Sequence, residues 1–358
     1  MTTKDDVFNL LQTASHLNSK SEFVSGQAMA EKLGVSRASV WKAIQSLQNG
    51  GIEVEAVRNR GYRLVGQQDI LTLSGVSGTL SNAVRDRTTL KVVKSTGSTN
   101  DDVRALALDG APEFSVVVAG EQTTGRGRRG RPFYSLGECG VYLSILLKPE
   151  WPVDDASFIT GAAAVAVCRA IDSVTGMEAS IKWVNDVYLS GRKICGILTE
   201  GVADFESGGL SFAVLGIGVN VYTPESGFPE EYSQRAGSVL DKKQSNMRNR
   251  IAGSIIQNFA ELYYGNTQQQ ARDNVSNNGD ESYTLKTPEE FRRAFMEEYK
   301  SRSFLPGKDI VVLKNASEEQ PARALEVDDD MSLVVQMADG SIQHLKSGEV
   351  SIRVPVVN

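Results

Sequence analysis

Residues 115–147 read SVVVAGEQTTGRGRRGRPFYSLGECGVYLSILL, in which two apolar runs flank a loop rich in glycine and arginine. The apolar runs predict strands at Ser115–Ala119 and Val141–Leu147. Residues 125–130 match G-x-G-x-x-G, the pattern of a dinucleotide-binding loop, which requires a helix beginning at the last glycine. Pro132 and a further strand follow instead. The sequence therefore predicts strand, loop and strand rather than a doubly wound nucleotide-binding fold.

The surrounding sequence adds more strands than helices. The predicted strands are Leu90–Val93, Ser180–Trp183, Val187–Leu189, Ile194–Glu200 and Ser211–Val221. The predicted helices are Ser77–Arg85, Asn100–Leu108, Ser157–Thr175, Met247–Tyr264 and Pro288–Ser301. Several strands are close enough in sequence to form hairpins. This order favours an α+β fold with a mixed sheet.

Composition shifts divide the chain into successive units. We predict a helix-turn-helix unit at 1–65, a Gly/Ser-rich linker at 66–85 and a large central domain at 86–303. A polar segment at 265–288 without periodicity reads as a mobile insertion in that domain. Residues 304–358 read as a small all-β unit of the size of an SH3-like barrel.

Composition excludes several classes of protein. The 358 residues carry a net charge of −6, with 41% hydrophobic and 23% charged residues, so the chain is not uniformly basic and any nucleic-acid contact must be local. Its three cysteines form no CxxC pair, which favours a reducing compartment. The polar N-terminus is unlike a signal peptide, and no apolar run approaches the roughly 20 residues of a membrane span. We therefore expect a cytoplasmic protein.

The first 65 residues form the basic end of this acidic chain, with eight Lys+Arg against six Asp+Glu. Residues 24–51, VSGQAMAEKLGVSRASVWKAIQSLQNGG, predict helix, tight turn and helix. Ser25 is suited to cap the first helix, Gly34 to form the turn and Ser36 to cap the second helix. The second helix carries an apolar stripe and leaves a polar face outward. The stripe is Val40, Ile44 and Leu47, and the outward residues are Arg37, Ala38, Lys42 and Gln45.

A basic hairpin follows this pair of helices. Residues 52–65, IEVEAVRNRGYRLV, alternate as a strand, turn at Arg58–Gly61 and return, which completes a winged helix-turn-helix. The predicted DNA-binding residues are Ser36, Arg37, Ser39, Lys42, Gln45, Arg58 and Arg60. The alternative is a purely structural cap, but two arginines at the hairpin tip favour DNA.

The arginine-glycine loop predicts an anion site. Glycines let the backbone approach a ligand, and arginines supply planar charged donors to phosphate or carboxylate. We expect the loop to be mobile when empty and ordered when occupied. An RNA-binding Arg-Gly segment is a weaker alternative because the string occurs once inside a folded region, and no GK[ST] follows for a Walker A loop.

Two other strings carry polar side chains near strand ends. Residues 182–186, KWVND, lie between two predicted strands, where Lys182 suits a carboxylate or phosphate and Asp186 a metal ion. Residues 98–100, STN, open a predicted helix and suit an uncharged polar group. The alternatives are a turn capped by Asn185 and Asp186, and an ordinary helix cap at Ser98 or Thr99.

Four ordered motifs together resemble one protein family. They are STN at 98–100, EQTTGRGRRGR at 121–131, KWVNDVYLSGRKICGILTE at 182–200 and GIGVN at 216–220. These motifs closely resemble the biotin protein ligases. The winged helix at the front and GEVSIR at 348–353 make the chain look like the bifunctional class, which also represses the biotin operon. The resemblance covers nearly the whole chain and implies a class II synthetase-like central domain.

The resemblance implies roles for residues at matching positions. The residues matching the biotin- and ATP-binding site are Ser98, Thr99, Asn100, Gln122, Gly125, Arg126, Gly127, Arg128, Arg129, Phe133, Lys182, Asn185, Gly196, Gly216, Gly218 and Asn220. Among these, Lys182, Arg126 and Arg128 match the catalytic positions. Asp186 of the KWVND string is the residue that we predict to hold the Mg²⁺ that accompanies ATP.

The chain departs from the family pattern at two positions. Val184 stands where the family usually has proline, which predicts a looser turn. Phe133 stands where the best-known member has a tryptophan near the adenine, and its ring can still stack. The insertion at 265–288 also looks longer than usual.

The implied reaction joins biotin and ATP into biotinyl-5′-AMP and transfers biotin to a lysine of the biotin carboxyl carrier protein. The implied partners also include operator DNA and a second copy of the chain, with no membrane. Three rivals stay open: a repressor that senses biotinyl-adenylate without ligating, a lipoyl-attaching ligase, and a biotin ligase that does not bind DNA. The complete arginine loop and Lys182 favour ligation, and the basic winged helix favours DNA binding.

Overall fold

The computed structural model describes residues 3–17, 23–49, 52–65, 69–149, 151–203, 209–265, 286–314, 318–346 and 350–353. The predicted insertion at 265–288 lies outside the described residues except at its two ends. Of the GEVSIR stretch at 348–353, the last four residues are described.

The N-terminal unit is a winged helix-turn-helix, as predicted. Its elements are helices α1 (Thr3–Leu17), α2 (Gly26–Leu33) and α3 (Arg37–Asn49) and strands β1 (Val54–Val57) and β2 (Gly61–Leu64). The two strands pair antiparallel, and the hairpin tip has positive φ at Asn59 and Gly61. Helix α1 was not predicted, because its N-terminal end is polar and acidic. It nevertheless buries Val7, Phe8 and Leu11 against the other helices.

Local signals in α2 and α3 act as the sequence predicts. The Ser25 hydroxyl accepts a hydrogen bond from the Ala28 N–H at 3.2 Å, and Gly34 ends α2 with φ 65°. The Ser36 hydroxyl accepts one from the Ser39 N–H at 3.1 Å. The predicted stripe of Val40, Ile44 and Leu47 is buried, together with Ala43. The pattern of periodicity and caps is sufficient to fix this unit locally.

The linker differs from the sequence expectation. Two short helices, α4 (Leu73–Ser77) and α5 (Asn82–Arg87), replace the single helix predicted at Ser77–Arg85. Thr72 caps α4 through the Gly75 N–H, and Ser81 caps α5 through the Val84 N–H. Two separate N-caps in one Ser/Thr-rich segment start two helices, which the single-helix interpretation overlooked.

A seven-stranded mixed sheet forms the central domain, as predicted. Its strands are β3 (Thr89–Val93), β4 (Ser115–Ala119), β5 (Gly140–Leu147), β6 (Ser180–Lys182), β7 (Asp186–Leu189), β8 (Arg192–Ala203) and β9 (Leu210–Asn220), in the order β3-β4-β5-β9-β8-β7-β6. The β3–β4 pair is parallel and the others are antiparallel. Between β4 and β5 the chain forms a three-residue 3₁₀ turn and no crossover helix. This excludes the dinucleotide fold that G-x-G-x-x-G alone allows.

Among the described residues of this domain, five helices accompany the sheet: α6 (Thr99–Leu108), α7 (Ala156–Thr175), α8 (Glu230–Ser233), α9 (Met247–Tyr264) and α10 (Pro288–Arg302). Helix α7 is the central core helix, and its Cys168 is fully buried, as predicted. By length and composition α7 could cross a membrane, so the expectation that no apolar run reaches that length is wrong. However, 67% of its most apolar window is buried inside the protein, which is typical of a core helix.

The C-terminal unit is all β, as predicted. Its strands are β10 (Asp309–Lys314), β11 (Glu318–Val327), β12 (Leu333–Met337), β13 (Ile342–Leu345) and β14 (Val350–Arg353). They form one antiparallel sheet in the order β13-β12-β11-β10-β14, with a bulge at Ala324/Glu326. Its turn at Met331 packs on the central domain. A Cβ built on Gly161 would lie 2.7 Å from the Met331 methyl carbon, so α7 approaches this turn closely.

Candidate functional site

A cavity of about 660 Å³ lies against the central sheet. It gathers residues from all four sequence motifs. The predicted site residues that line it are Ser98, Thr99, Asn100, Gln122, Arg126, Gly127, Arg128, Arg129, Phe133, Lys182, Asn185, Asp186, Gly196, Gly216, Gly218 and Asn220. Gly125 is the exception. It is buried behind the loop, where a Cβ would lie 2.5 Å from the Ser135 hydroxyl.

The floor of the cavity is a row of paired residues on four strands, and the row continues to Tyr142 on a fifth. Register pairs join Lys182 to Asp186, Asp186 to Gly196, Gly196 to Gly218 and Gly218 to Tyr142. Directly paired residues project from the same face of a sheet. The row therefore places two charged side chains at one end, two glycines in the middle and an aromatic ring beyond them.

The two glycines make room for Phe133. A Cβ on Gly218 would lie 2.5 Å from the Phe133 ring, and a Cβ on Gly196 would lie 2.9 Å from it. The Phe133 ring also meets Tyr142 edge to face, with centroids 6.4 Å apart. The resemblance implied that the Phe133 ring can stack near the adenine. The contacts give the reason for glycine at both positions of the floor.

The STN segment is buried, and Thr99 and Asn100 point their side chains into a polar network. The Thr99 N–H and hydroxyl both donate to the Gln122 side-chain oxygen, at 2.9 and 3.0 Å. The Asn100 amide donates to Glu200 Oε2 at 2.6 Å. Ser98 is the N-cap residue of α6, but its side chain makes no capping hydrogen bond. The alternative of an ordinary side-chain cap is therefore wrong for Ser98.

Two members of this network were missed in the sequence. The Ser144 hydroxyl lies 2.7 Å from Thr99 Oγ1 and 2.6 Å from Asn100 Oδ1, inside a fully buried site. Glu200, on β8, fixes the other end of the Asn100 amide. Gly216 lies under Asn100, because a Cβ there would come within 2.1 Å of Oδ1. Ser144 and Glu200 belong to apolar or extended strand patterns, so only strand pairing reveals them.

Short backbone contacts hold the arginine loop in this structure. The Gly127 N–H donates to the Arg131 carbonyl at 2.7 Å, and the Phe133 N–H donates to the Gly125 carbonyl at 2.9 Å. Arg129 takes a left-handed conformation with φ 58°. These bonds close the loop back on itself and present its side chains to the cavity.

The charges of the loop are unequally compensated. Arg126 forms an ion pair with Asp101, and this hydrogen bond raises the pKa of Arg126. Arg128 is half-buried, and burial and then the neighbouring Arg129 charge lower its pKa, while Asp186 partly offsets both. An anionic ligand stabilises a half-buried cation whose charged form is disfavoured in this way. Arg128 is therefore the loop arginine best suited to bind one.

The KWVND turn makes hydrogen bonds to four other parts of the protein. The Trp183 indole N–H donates to the Met331 carbonyl at 2.7 Å, and the Tyr299 hydroxyl donates to the Val184 carbonyl at 3.0 Å. The Asn185 amide donates to the Ile197 carbonyl at 2.8 Å, and its oxygen lies 3.4 Å from Arg128 Nη1. The peptide bond before Val184 is cis. The sequence predicted a looser turn without proline, but hydrogen bonds at Trp183, Val184 and Asn185 fix this turn.

Asp186, the predicted metal ligand, already has a cationic partner. Its Oδ1 atom lies 2.5 Å from Lys193 Nζ. Among the described residues that line the cavity, the only carboxylates are Asp186 and Glu231. The described part of the chain holds no group of three or more His, Cys, Asp or Glu that could bind a metal ion. These donors fit a magnesium ion held mainly by nucleotide phosphates rather than a protein cage.

A second wall of the cavity comes from the segment after β9. Its lining residues, missed in the sequence, are Phe228, Glu231, Tyr232, Arg235 and Ala236, joined by Leu313 of the C-terminal sheet. The segment is anchored by Asn220, whose amide donates to the Gly237 carbonyl at 3.1 Å, and by the Lys193 N–H, which donates to the Arg235 carbonyl at 2.8 Å. It has little regular structure, so no periodic pattern identified it.

The predicted DNA-binding residues divide between α3 and the hairpin tip. Arg37 and Lys42 are exposed on α3, whereas the Gln45 amide donates to Gln48. The Ser36 hydroxyl caps α3 and lies 2.9 Å from that of Ser39. At the hairpin, exposed Arg58 precedes Arg60, whose guanidinium lies 4.4 Å from the Phe23 ring centroid. Trp41 was missed and is 54% exposed on α3.

Two family models match the chain. One, described as the biotin/lipoate A/B protein ligase family, matches residues 90–220. The other, described as an HTH domain, matches residues 9–63. The first covers the strands and loop that build the cavity, and the second covers the basic N-terminal unit.

Relatives and solved structures point the same way. The bifunctional ligase/repressor BirA of Bacillus spizizenii is 37% identical over 250 residues, covering 67% of this chain and 74% of that protein. BirA of Escherichia coli is 31% identical over 208 residues, covering 57% of this chain and 61% of that protein. The structure of biotin protein ligase from Aquifex aeolicus with biotin and ATP matches with TM-score 0.53 and 23% identity, covering 75% of this chain and 99% of that one. This structural match concerns the fold.

Proposed function

The chain belongs to the family of bifunctional biotin protein ligases and biotin operon repressors, and from that premise we propose that it ligates biotin and regulates transcription. It activates biotin with ATP to biotinyl-5′-AMP and passes the biotinyl group to a lysine of a carrier domain. Its winged helix-turn-helix binds operator DNA. The 37% identity to a bifunctional ligase/repressor over two thirds of the chain supports both halves.

The observation that supports the ligase activity is the separation of neutral and cationic side chains within the cavity. Asn100, beside the neutral side chains of Ser98 and Thr99, lies over Gly216 on β9. Lys182 lies on β6, three strands away in the same sheet, and Arg128 lines the cavity from the loop. Biotin has the same polarity, with a neutral ureido ring at one end and a carboxylate at the other. An ionised carboxylate with a pKa of about 4–5 needs no general base, which fits a cavity that contains no histidine among its described lining residues.

Adenylation then requires positioning and charge neutralisation. A carboxylate oxygen of biotin attacks the α-phosphorus of ATP, and the bond from that phosphorus to the bridging oxygen breaks as pyrophosphate leaves. Lys182 and Arg128 neutralise the carboxylate and phosphate oxygens, and the Phe133 ring offers an apolar surface beside them. Magnesium, bound chiefly to the phosphates with Asp186 near, would supply further neutralisation of the triphosphate.

In the second step the amine of the acceptor lysine attacks the acyl carbon, and AMP leaves. The arginine loop at 125–131 covers the adenylate and shields the mixed anhydride from water until that attack. We propose the biotin carboxyl carrier domain as the acceptor. The Arg-Gly loop and the KWxND spacing favour biotin over lipoyl chemistry.

For the regulatory half, we propose that Arg37, Lys42, Arg58 and Arg60 contact the DNA backbone and bases. Ser36 and Ser39 then contribute mainly by ordering the start of α3. Repression by a homodimer whose assembly adenylate promotes would link biotin demand to transcription. We also propose that the C-terminal sheet is an SH3-like barrel, and that the free cysteines reflect a cytoplasmic setting.

The intact mass of a purified carrier domain tests the ligase directly. The domain is incubated with the protein, biotin, ATP and Mg²⁺, with a lipoyl domain as the control. A gain of one biotinyl group on the carrier domain alone is expected. Retention of biotinyl-adenylate without any gain would instead identify a sensor that does not ligate, and modification of the lipoyl domain would contradict the biotin assignment.

A further inference from the structure

Lys193 lies at the start of β8 and was not among the predicted site residues. It lines the cavity, and its ammonium pairs with Asp186 at 2.5 Å. A Cβ on Gly196 would lie 3.5 Å from both its Cε and Nζ atoms, so the ammonium lies over the cavity floor beside the Phe133 ring. Lys193 therefore brings a cation to the reacting end of the cavity that the sequence motifs did not identify.

A β-bulge aims this side chain into the cavity. In the β7–β8 pair, Asp186 faces Gly196 and Val187 faces Cys195, but the register then shifts so that Tyr188 faces Lys193. The residue left without a partner is Ile194, which is fully buried. A regular register would pair Lys193 with buried Leu189 and turn it toward the core, whereas the bulge turns it to the opposite face.

The ordering of the Lys193 side chain also indicates that it is used at this face. A lysine on a strand beside buried Ile194 and Cys195 could remain in solvent, yet its side chain is only 33% exposed and is ordered on a carboxylate that is 22% exposed. Ordering a lysine side chain costs roughly 1.5–2 kcal/mol of rotamer entropy. Asp186 thus acts on Lys193 by fixing its direction.

The charges show which kind of ligand this end of the cavity accepts. Lys182, Lys193 and Arg128 surround one carboxylate, Asp186, and the loop adds Arg129. Positive charge exceeds negative charge among the described lining residues, whose only carboxylates are Asp186 and Glu231. Such an arrangement binds anionic oxygens through charge-assisted hydrogen bonds.

We infer that Lys193 is a second substrate-binding lysine, which holds an anionic oxygen at the reacting centre during adenylation, with Asp186 as its positioning residue instead of a magnesium ligand. This inference rests on the ligase function proposed above. The oxygen belongs either to the ATP phosphates or to the biotin carboxylate. Both sources share the same chemistry and are separated by the test.

Biotin-dependent exchange of labelled pyrophosphate into ATP isolates the adenylation step. The variants are Lys193→Met, Lys193→Arg, Asp186→Asn and the double variant, with Lys243→Met as the matched control. Lys243 pairs with Glu138 at 2.8 Å outside the cavity. Thermal unfolding tests whether each variant is folded. If Lys193→Met does not fold, Lys193→Arg replaces it in the kinetic comparison.

We expect Lys193→Met to lower kcat/KM roughly 10- to 100-fold, the loss of one charged hydrogen bond. A rise in the KM for ATP identifies the phosphates, and a rise in the KM for biotin identifies the carboxylate. Lys193→Arg should retain more activity than Lys193→Met, and Lys243→Met should match the wild type. Wild-type kinetics in Lys193→Met would overturn the inference.

Asp186→Asn separates positioning from metal binding. For a positioning residue, the Mg²⁺ concentration at half-maximal exchange stays unchanged, and adding Asp186→Asn to Lys193→Met lowers exchange no further. A higher Mg²⁺ requirement in Asp186→Asn would overturn the positioning role.

Calorimetric binding of ATP and of biotin to the wild type and Lys193→Met gives a readout without turnover. If the wild type binds both but performs no exchange, the ligase proposal fails while the role of Lys193 in binding is still measured. Equal affinities of the two proteins for both ligands, without exchange, would overturn the inference as well.

Discussion

The indole Nε1 of Trp183 donates a 2.7 Å hydrogen bond to the main-chain oxygen of Met331, 148 residues further along the chain. Trp183 lies inside the KWVND turn, and Met331 lies in the turn between β11 and β12. Both residues are buried, at 6% and 2% exposure. The C-terminal unit therefore stabilises the turn that carries Lys182 and Asn185 into the cavity.

Trp183→Phe should destabilise the protein and slow adenylation. The substitution keeps an aromatic ring but leaves the buried Met331 carbonyl without its indole donor, at a cost of about 1–3 kcal/mol. Urea unfolding measures the loss, and pyrophosphate exchange measures the displaced turn. Trp41→Phe is the matched control, because Trp41 is exposed on α3. Equal unfolding free energies for the wild type and Trp183→Phe would contradict the supporting role.

Arg128→Ala should release biotinyl-adenylate faster. Arg128 is half-buried and faces an anion in the proposed complex, so we expect a loss of roughly 1.5–3 kcal/mol, the value of one charged hydrogen bond. A single-turnover experiment that separates bound from free adenylate measures the release rate. Arg323→Ala, on the C-terminal sheet, controls for loss of one positive charge. An unchanged release rate would argue against a clasping role for Arg128.

Arg37→Ala combined with Arg60→Ala should weaken DNA binding and leave ligation intact. Both side chains are on the winged helix and do not line the cavity. Each arginine–phosphate interaction that is lost should reduce the slope of log K against log salt concentration by about 1, so the double variant should reduce it by about 2. Binding to operator DNA over a range of salt concentrations measures this effect. A control pair, Arg293→Ala with Arg323→Ala, removes the same charge elsewhere. Loss of ligation in the Arg37/Arg60 variant would mean that the N-terminal unit is structural.

Gly216→Ala should raise the KM for biotin. Its Cβ would lie 2.1 Å from Asn100 Oδ1, and Asn100 cannot move freely because Glu200 and Ser144 hold its amide. Steady-state kinetics with varied biotin measure the change, while the KM for ATP should change less. Gly201→Ala on β8, where a Cβ would lie 2.9 Å from the flexible end of Leu210, is the matched glycine control. The same KM in Gly216→Ala and the wild type would mean that Asn100 does not contact biotin.

Glu298→Gln should destabilise the protein near neutral pH, and this difference should shrink in acid. Burial raises the pKa of Glu298, but hydrogen bonds from Arg169 and Arg302 outweigh it and hold the pKa below its ordinary value of 4.5. A lowered native pKa gives stability that is complete above 4.5 and is lost as the pH falls through the native pKa.

Urea unfolding of the wild type and Glu298→Gln across this range measures the effect. Glu289→Gln on the same helix is the control, because Glu289 is exposed in its pair with Arg293. A difference between wild type and Glu298→Gln that stays constant with pH would show that the ion pairs of Glu298 do not stabilise the native state.

Much of the fold followed from local signals. Ser25, Gly34 and Ser36 predicted the limits of α2 and α3, and the apolar runs on both sides of the arginine loop predicted β4 and β5. Pro132 and a strand follow the glycine loop where a dinucleotide-binding fold needs a helix, so the sequence excluded that fold. The structure confirms this exclusion. The predictions failed where a local signal was weak or occurred twice. Helix α1 was overlooked because its start is polar, and α4 and α5 were predicted as one helix although Thr72 and Ser81 each cap one.

The site was predictable in its motifs and unpredictable in its contacts. The sequence by itself predicted which residues meet, because the STN, arginine-loop, KWVND and GIGVN strings together resemble the motifs of one protein family. Tertiary structure alone decided how they meet. The β7–β8 bulge turned Lys193 into the cavity, strand pairing put Ser144 and Glu200 around Asn100, and the C-terminal turn brought Met331 to Trp183. Periodicity and caps act over a few residues, whereas register and packing join residues far apart in the chain, so no local pattern encodes them.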